Sequence, residues 1–93
     1  MRQVLIEKYV EPSEIEDEFE YCSEYWFDIN GDSHSFMGQP SEIWYENGQL
    51  TQQFWHKKGI LHRDKNLPAI IAYENERVFR ELWYKNGEFL RDI

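Results

Sequence analysis

Ile43-Trp44-Tyr45-Glu46-Asn47-Gly48-Gln49-Leu50-Thr51-Gln52-Gln53-Phe54-Trp55 decides the fold class. Two β-rich arms flank Asn-Gly, the strongest short hairpin signal, because both central residues of a type I′ turn need positive φ. A two-residue turn there pairs Glu46 with Gln49, Tyr45 with Leu50 and Ile43 with Gln52. Ile43, Tyr45, Leu50 and Phe54 then share one face by strand alternation, and Trp44, Thr51 and Trp55 the other.

The pattern recurs. Pro40-Ser41-Glu42-Ile43 has a copy at Pro12-Ser13-Glu14-Ile15 and a weaker one at Pro68-Ala69-Ile70-Ile71, each displaced by 28 residues. Gly31, Gly59 and Gly87 share that offset, as do His34 with His62, Trp55 with Trp83, and Arg63-Asp64 with Arg91-Asp92. Sliding residues 26–65 onto 54–93 gives 12 identities in 40 positions. A period of this length means stacked supersecondary units, which bind far more often than they catalyse. The units are residues 12–39, 40–67 and 68–93, preceded by a leading strand over 1–11, in one domain of 93 residues.

Asn86-Gly87 marks a second hairpin, in which Tyr84 opposes Phe89 and Trp83 opposes Leu90. Lys58-Gly59 and Asn30-Gly31 hold equivalent places in earlier units. Asn75-Glu76 replaces Asn47-Gly48 in the third unit; a Glu at positive φ is costly, so a longer or different turn is expected there. The expected fold is all-β, an antiparallel meander of hairpin repeats. Residues 13–25 admit two readings. Ser13 with Glu16 fits a capping box, and Ile15, Phe19, Cys22 and Trp26 fit the stripe of a short helix. The repeat alignment places a strand or hairpin there, and that reading is preferred.

Trp44-Tyr45-Glu46-Asn47-Gly48, Trp55-His56-Lys57-Lys58-Gly59 and Trp83-Tyr84-Lys85-Asn86-Gly87 resemble MORN-type repeats. Trp55 to Ala69, with its Gly-x-x-His-Arg and Pro-Ala, resembles the MORN-like variant of small phage and bacterial proteins. The resemblance covers roughly residues 26–93. Its spacing of 28 exceeds the usual low twenties, and the second Gly of many such units is absent. It implies β-hairpin repeats used for binding, some of them antitoxins, with no catalytic residues to transfer.

Charge is segregated along the chain. From Tyr9 to His56 there is no Lys or Arg and there are eleven acids, whereas residues 57–93 carry eight basic and six acidic residues; the net charge is −8. The acids of the first segment include Glu11, Glu14, Glu16, Asp17, Glu18, Glu20, Glu24, Asp28 and Asp32. This sign opposes direct nucleic-acid binding and anionic membranes, which both call for Lys and Arg. On a strand, same-face side chains recur every ~6.6 Å, roughly the spacing of phosphates along a nucleic-acid strand. The expected partner is therefore a basic nucleic-acid-binding protein or effector complex whose channel this acidic surface, together with Trp44, would occupy. The implied class is a non-enzymatic inhibitor; by analogy, from the size, the sign of the charge and the phage-like repeat, a phage anti-defence protein such as an anti-CRISPR. The alternative is an adaptor or antitoxin that binds through exposed aromatics.

Other chemistry is poorly supplied. The three histidines lack metal-ligand spacing and read as loop caps or Trp neighbours, so neither metal nor cofactor is expected. No nucleophile–base pair or phosphate loop suggests an enzyme. A lone Cys22 and a quickly charged N-terminus point to a reducing cytoplasm, and the phage-like resemblance implies that of a bacterial host. Terminal repeats need caps, which pairing of two copies would supply.

Overall fold

The computed structural model describes the backbone of residues 3–12 and 18–93, and side chains from Tyr21 onward. Among the described residues nine strands succeed one another: β1 (Gln3–Pro12), β2 (Glu18–Phe27), β3 (Glu42–Glu46), β4 (Gln49–Phe54), β5 (His56–Lys57), β6 (Ile60–Leu61), β7 (Ile70–Glu74), β8 (Arg77–Lys85) and β9 (Glu88–Asp92). Seven form one antiparallel meander in the order β1-β2-β3-β4-β7-β8-β9, and β5 with β6 makes a separate small hairpin. The protein is all-β: there is no helix among the described residues. From Glu18 onward the stretch read two ways is strand, paired in register with β1 from Pro12↔Glu18 to Gln3↔Phe27. Residues 13–17 lie outside the described residues.

The turns follow the dihedral demand of twisted hairpins. Asn47-Gly48, Lys58-Gly59 and Asn86-Gly87 all take positive φ at both residues, as a type I′ turn requires. So does Asn75-Glu76, at φ 53° and 64°. The expectation of a longer turn there is corrected: Glu74 pairs directly with Arg77 across a two-residue turn. The twist of β7 and β8 selects the turn, and Glu76 accepts a conformation that costs roughly 1–2 kcal/mol outside glycine.

The expected register is corrected by a recurring bulge. Tyr45 pairs with Leu50 as expected, but Ile43 pairs with Gln53 and Trp44 with Gln52, leaving Thr51 as an extra residue. One extra residue reverses every face beyond it. Phe54 therefore lies on the Trp44 face, its ring 5.1 Å from the indole. Thr51 Oγ1 donates to the Trp44 carbonyl at 3.1 Å. The same irregularity falls between Ala72 and Tyr73, one repeat on, and between Trp83 and Tyr84. The last makes Trp83 oppose Arg91 rather than Leu90.

A single sheet in a molecule of 44 × 33 × 18 Å has little interior of its own. The buried residues Ser41, Trp55, His62, Ala69 and Trp83 gather instead where chain excursions fold back beside the sheet. One excursion joins β2 to β3, the other joins β4 to β7 and contains β5–β6. Each returns through a fully enclosed small residue. Ser41 bonds to Trp26 and Phe54, and Ala69 to Trp55 and Leu82, all at 2.8 Å through backbone groups. Both residues have no exposed surface, so a larger side chain would overpack the site.

Candidate functional site

The excursions are held by a constellation that appears twice. The indole Nε1–H of Trp55 donates to the Gly38 carbonyl at 3.0 Å, and that of Trp83 to the Asn66 carbonyl at 3.1 Å. The Arg63 guanidinium lies 3.7 Å above the Trp55 ring, and that of Arg91 lies 4.3 Å above Trp83. Such cation–π contacts contribute roughly 0.5–2 kcal/mol each. Arg63 also donates to the Pro68 carbonyl at 3.0 Å, and burial lowers its pKa.

Histidines connect one unit to the next. His34 Nδ1 accepts the Lys58 N–H at 3.1 Å and His62 Nδ1 accepts the Asn86 N–H at 2.9 Å. The next turn N–H, from Gly59 or Gly87, goes to the carbonyl just before that histidine, Ser33 or Leu61, at 2.8 Å. Both donors of the Lys58-Gly59 and Asn86-Gly87 turns are thus satisfied by the preceding unit. His62 uses its other nitrogen on Asp64 at 2.8 Å, which fixes the Nε2–H tautomer and holds the Asp64 carboxyl below its usual range. His56 has a different task. Its Nδ1 lies 2.7 Å from the Oγ of enclosed Ser41, and burial lowers its pKa. This Ser–His pair offers no nucleophile, since Ser41 has no exposed surface.

The acidic residues singled out from the sequence are distributed over structure in three ways. Glu14, Glu16 and Asp17 lie outside the described residues. Glu11 sits at a β1 position and Glu18 and Glu20 at β2 positions, with only their backbone described. Cys22 and Glu24 alternate onto one face of β2. Glu24 is engaged by Tyr45, whose pKa rises through burial and then the nearby Glu24 charge. Asp28 is a turn residue: its Oδ1 accepts the N–H groups of Asn30 at 2.9 Å and Asp32 at 3.0 Å. Asp32 is exposed in the same turn.

Trp44 is 37% exposed and its Nε1–H donates to Glu42. Burial raises the Glu42 pKa and this hydrogen bond opposes the rise. Beside Trp44 a cleft of about 290 Å³ is lined by Tyr21, Ser23, Tyr45, Glu46, Thr51 and Gln52.

Two features escaped the sequence. Trp26 is the counterpart of Trp55, because the His34 N–H bonds to the Trp26 carbonyl as the His62 N–H bonds to that of Trp55, each at 3.1 Å. The offset is 29 rather than 28, the extra residue lying in the Asp28–Asp32 turn. The second is a pair of clefts around Arg63, lined by lysines that are far apart in the chain. Among the described residues, no three His, Cys, Asp or Glu side chains cluster for a metal ion. No described helix is long and apolar enough to cross a membrane. Comparison with family models, curated proteins and solved structures returns no match.

Proposed function

We propose that this chain is a non-enzymatic inhibitor that presents an acidic surface to the nucleic-acid-binding site of a basic bacterial protein. It would act in the host cytoplasm as a phage anti-defence protein, for instance an anti-CRISPR, built on MORN-like repeats. The observation that carries the reading is the meander itself. Strand order equals sequence order from β1 to β9, so charge segregated along the chain becomes charge segregated across the sheet. The segment without Lys or Arg, Tyr9 to His56, covers the last four residues of β1 and all of β2, β3 and β4. A one-signed flank of this kind steers a basic partner at long range, with strong salt dependence.

A lysate pull-down eluted with a salt gradient tests this. The wild-type chain should retain a basic nucleic-acid-binding protein that added DNA or RNA displaces. The Glu14→Gln, Glu16→Gln, Glu18→Gln, Glu20→Gln variant should lose it while its fold persists. Retention by that variant would sink the proposal.

A second reading has its own observation in the half-exposed Trp44 beside its cleft. An adaptor or antitoxin docking there would tolerate salt and fail on Trp44→Ala. Pairing of two copies through the sheet edges is compatible with either reading.

A further inference from the structure

Two clefts lie side by side along the stacked excursions. One, of about 350 Å³, runs between His34–Gly38 and the His62–Leu67 loop; the other, of about 260 Å³, runs between that loop and the β8–β9 hairpin. The second is the first moved on by one repeat, with Trp83 for Trp55, Lys85 for Lys57 and Asn66 for Gly38. Together they form one groove with the 62–67 loop as its central ridge.

The groove is positive in a chain of net charge −8. Lys57, Lys65, Lys85 and Arg63 line it, against one carboxylate, Asp64, which His62 already engages. Among the described residues, none of the three lysines forms an ion pair. In a chain with 18 acids and 10 bases, four cations gathered against the single carboxylate of Asp64, which Lys57 and Lys65 share with His62, leave a net-positive surface complementary to an anion. We propose that this groove binds an extended acidic peptide segment of a partner protein, with one carboxylate seated in each cleft.

The spacing suits such a ligand. Equivalent points of successive units are two strands apart, about 9.5 Å. Flexible Glu side chains two to four residues apart on an extended peptide, roughly 6.6–13 Å, span that distance. A nucleic acid fits less well. Single-stranded nucleic acids bind through open aromatic faces on which bases stack. Trp55 and Trp83 are only 5% and 7% exposed, and each has a guanidinium over its ring. The site is distinct from the acidic flank, so its failure leaves the proposed inhibition intact.

Fluorescence anisotropy on the full chain tests the proposal, with a fluorescein-labelled octaglutamate peptide and an oligothymidylate of matched charge as probes. The peptide should bind saturably and release with salt. Binding should weaken about tenfold or more in the Lys57→Gln, Lys65→Gln, Lys85→Gln variant, as expected when charge complementarity is removed. The three lysines are exposed, so tryptophan fluorescence should report an unchanged fold; the single variants Lys57→Gln and Lys85→Gln, each expected to weaken binding severalfold, guard against its loss. No saturable peptide binding, equal affinity in the lysine variants, or tighter binding of the oligothymidylate would each overturn it.

Discussion

Units two and three share their Trp, turn Gly and Arg-Asp at the same spacing and end differently. In unit two the chain leaves β4 at Trp55, makes the two-residue strands β5 and β6, and returns through buried Pro68 and Ala69. In unit three β8 runs without a break from Arg77 through Trp83 to Lys85 and pairs with β9. The Trp55 N–H is taken by the Ala69 carbonyl, one step beyond the Phe54↔Ile70 pair that ends the β4–β7 register, whereas Trp83 sits within β8 in register opposite Arg91. Histidine follows the same division. His62 stands in unit two to cap the next turn, and Leu90 holds the corresponding place in unit three. Local chemistry sets the Trp–Arg clasp, and the neighbouring unit decides whether it closes a satellite hairpin or a sheet strand.

Removing the clasp tests the comparison most severely. Replacing a buried Trp by Ala costs about 3–5 kcal/mol. Trp55 joins Gly38 of unit one, Ala69 and Arg63, while Trp83 joins Asn66 and Arg91. Trp55→Ala should therefore fall at the top of that range and Trp83→Ala near the bottom, read from urea unfolding midpoints. Equal losses, or the reverse order, would mean that both clasps act only as local packing.

The turns sharpen the same comparison at smaller scale. Gly59 and Gly87 hold equivalent positions with φ of +83° and +82°. Either Gly→Ala change forces a left-handed alanine, at roughly 1–2 kcal/mol. At Gly59 the new methyl would lie 3.6 Å from Asp32, an ordinary contact; at Gly87 it would meet Ile60 Cγ2 at 2.9 Å. Gly87→Ala should thus cost about 1 kcal/mol more than Gly59→Ala, in line with mild overpacking. Matching thermal midpoints for the two variants would show that Ile60 moves freely and that unit three is not packed onto unit two at this point.

These contrasts also show what was legible in the residues alone. The repeat, the hairpin turns and the meander followed from Asn-Gly pairs and the 28-residue offset. The face of Phe54 did not, because a bulge at Thr51 leaves no local signature and shifts every later side chain to the opposite face. Glu76 at positive φ was hidden for a related reason: the twist of two paired strands overrode the preference of one residue. At the candidate sites, the acidic flank was readable because a meander preserves sequence order. The basic groove was not, since Lys57, Lys65 and Lys85 meet only when Trp55, Trp83 and their arginines stack one excursion on another. The histidines gave partial notice; their equivalence at 34 and 62 was visible, but not that each caps a turn of the next unit.

The mildest test uses protons. His56 in unit two touches enclosed Ser41 through Nδ1, and Tyr84, an aromatic without an imidazole, holds the equivalent place in unit three. Burial keeps the His56 pKa below the ordinary value of 6.5. The unfolded chain then binds a proton near pH 6.5 that the native chain does not, so stability is intact above that pH and declines as pH falls through it toward the lower folded value. Asp64 acts in a separate, more acidic window. Its carboxyl is depressed from 3.8, chiefly by the His62 hydrogen bond, so its contribution persists until pH falls through that lower range. Urea midpoints should therefore drop between pH 7.5 and 5.5. His56→Gln, which keeps a polar group beside Ser41, should flatten that slope, and Tyr84→Phe should leave it unchanged. A slope that survives His56→Gln would place the acid sensitivity outside the His56–Ser41 contact and outside the interior of unit two.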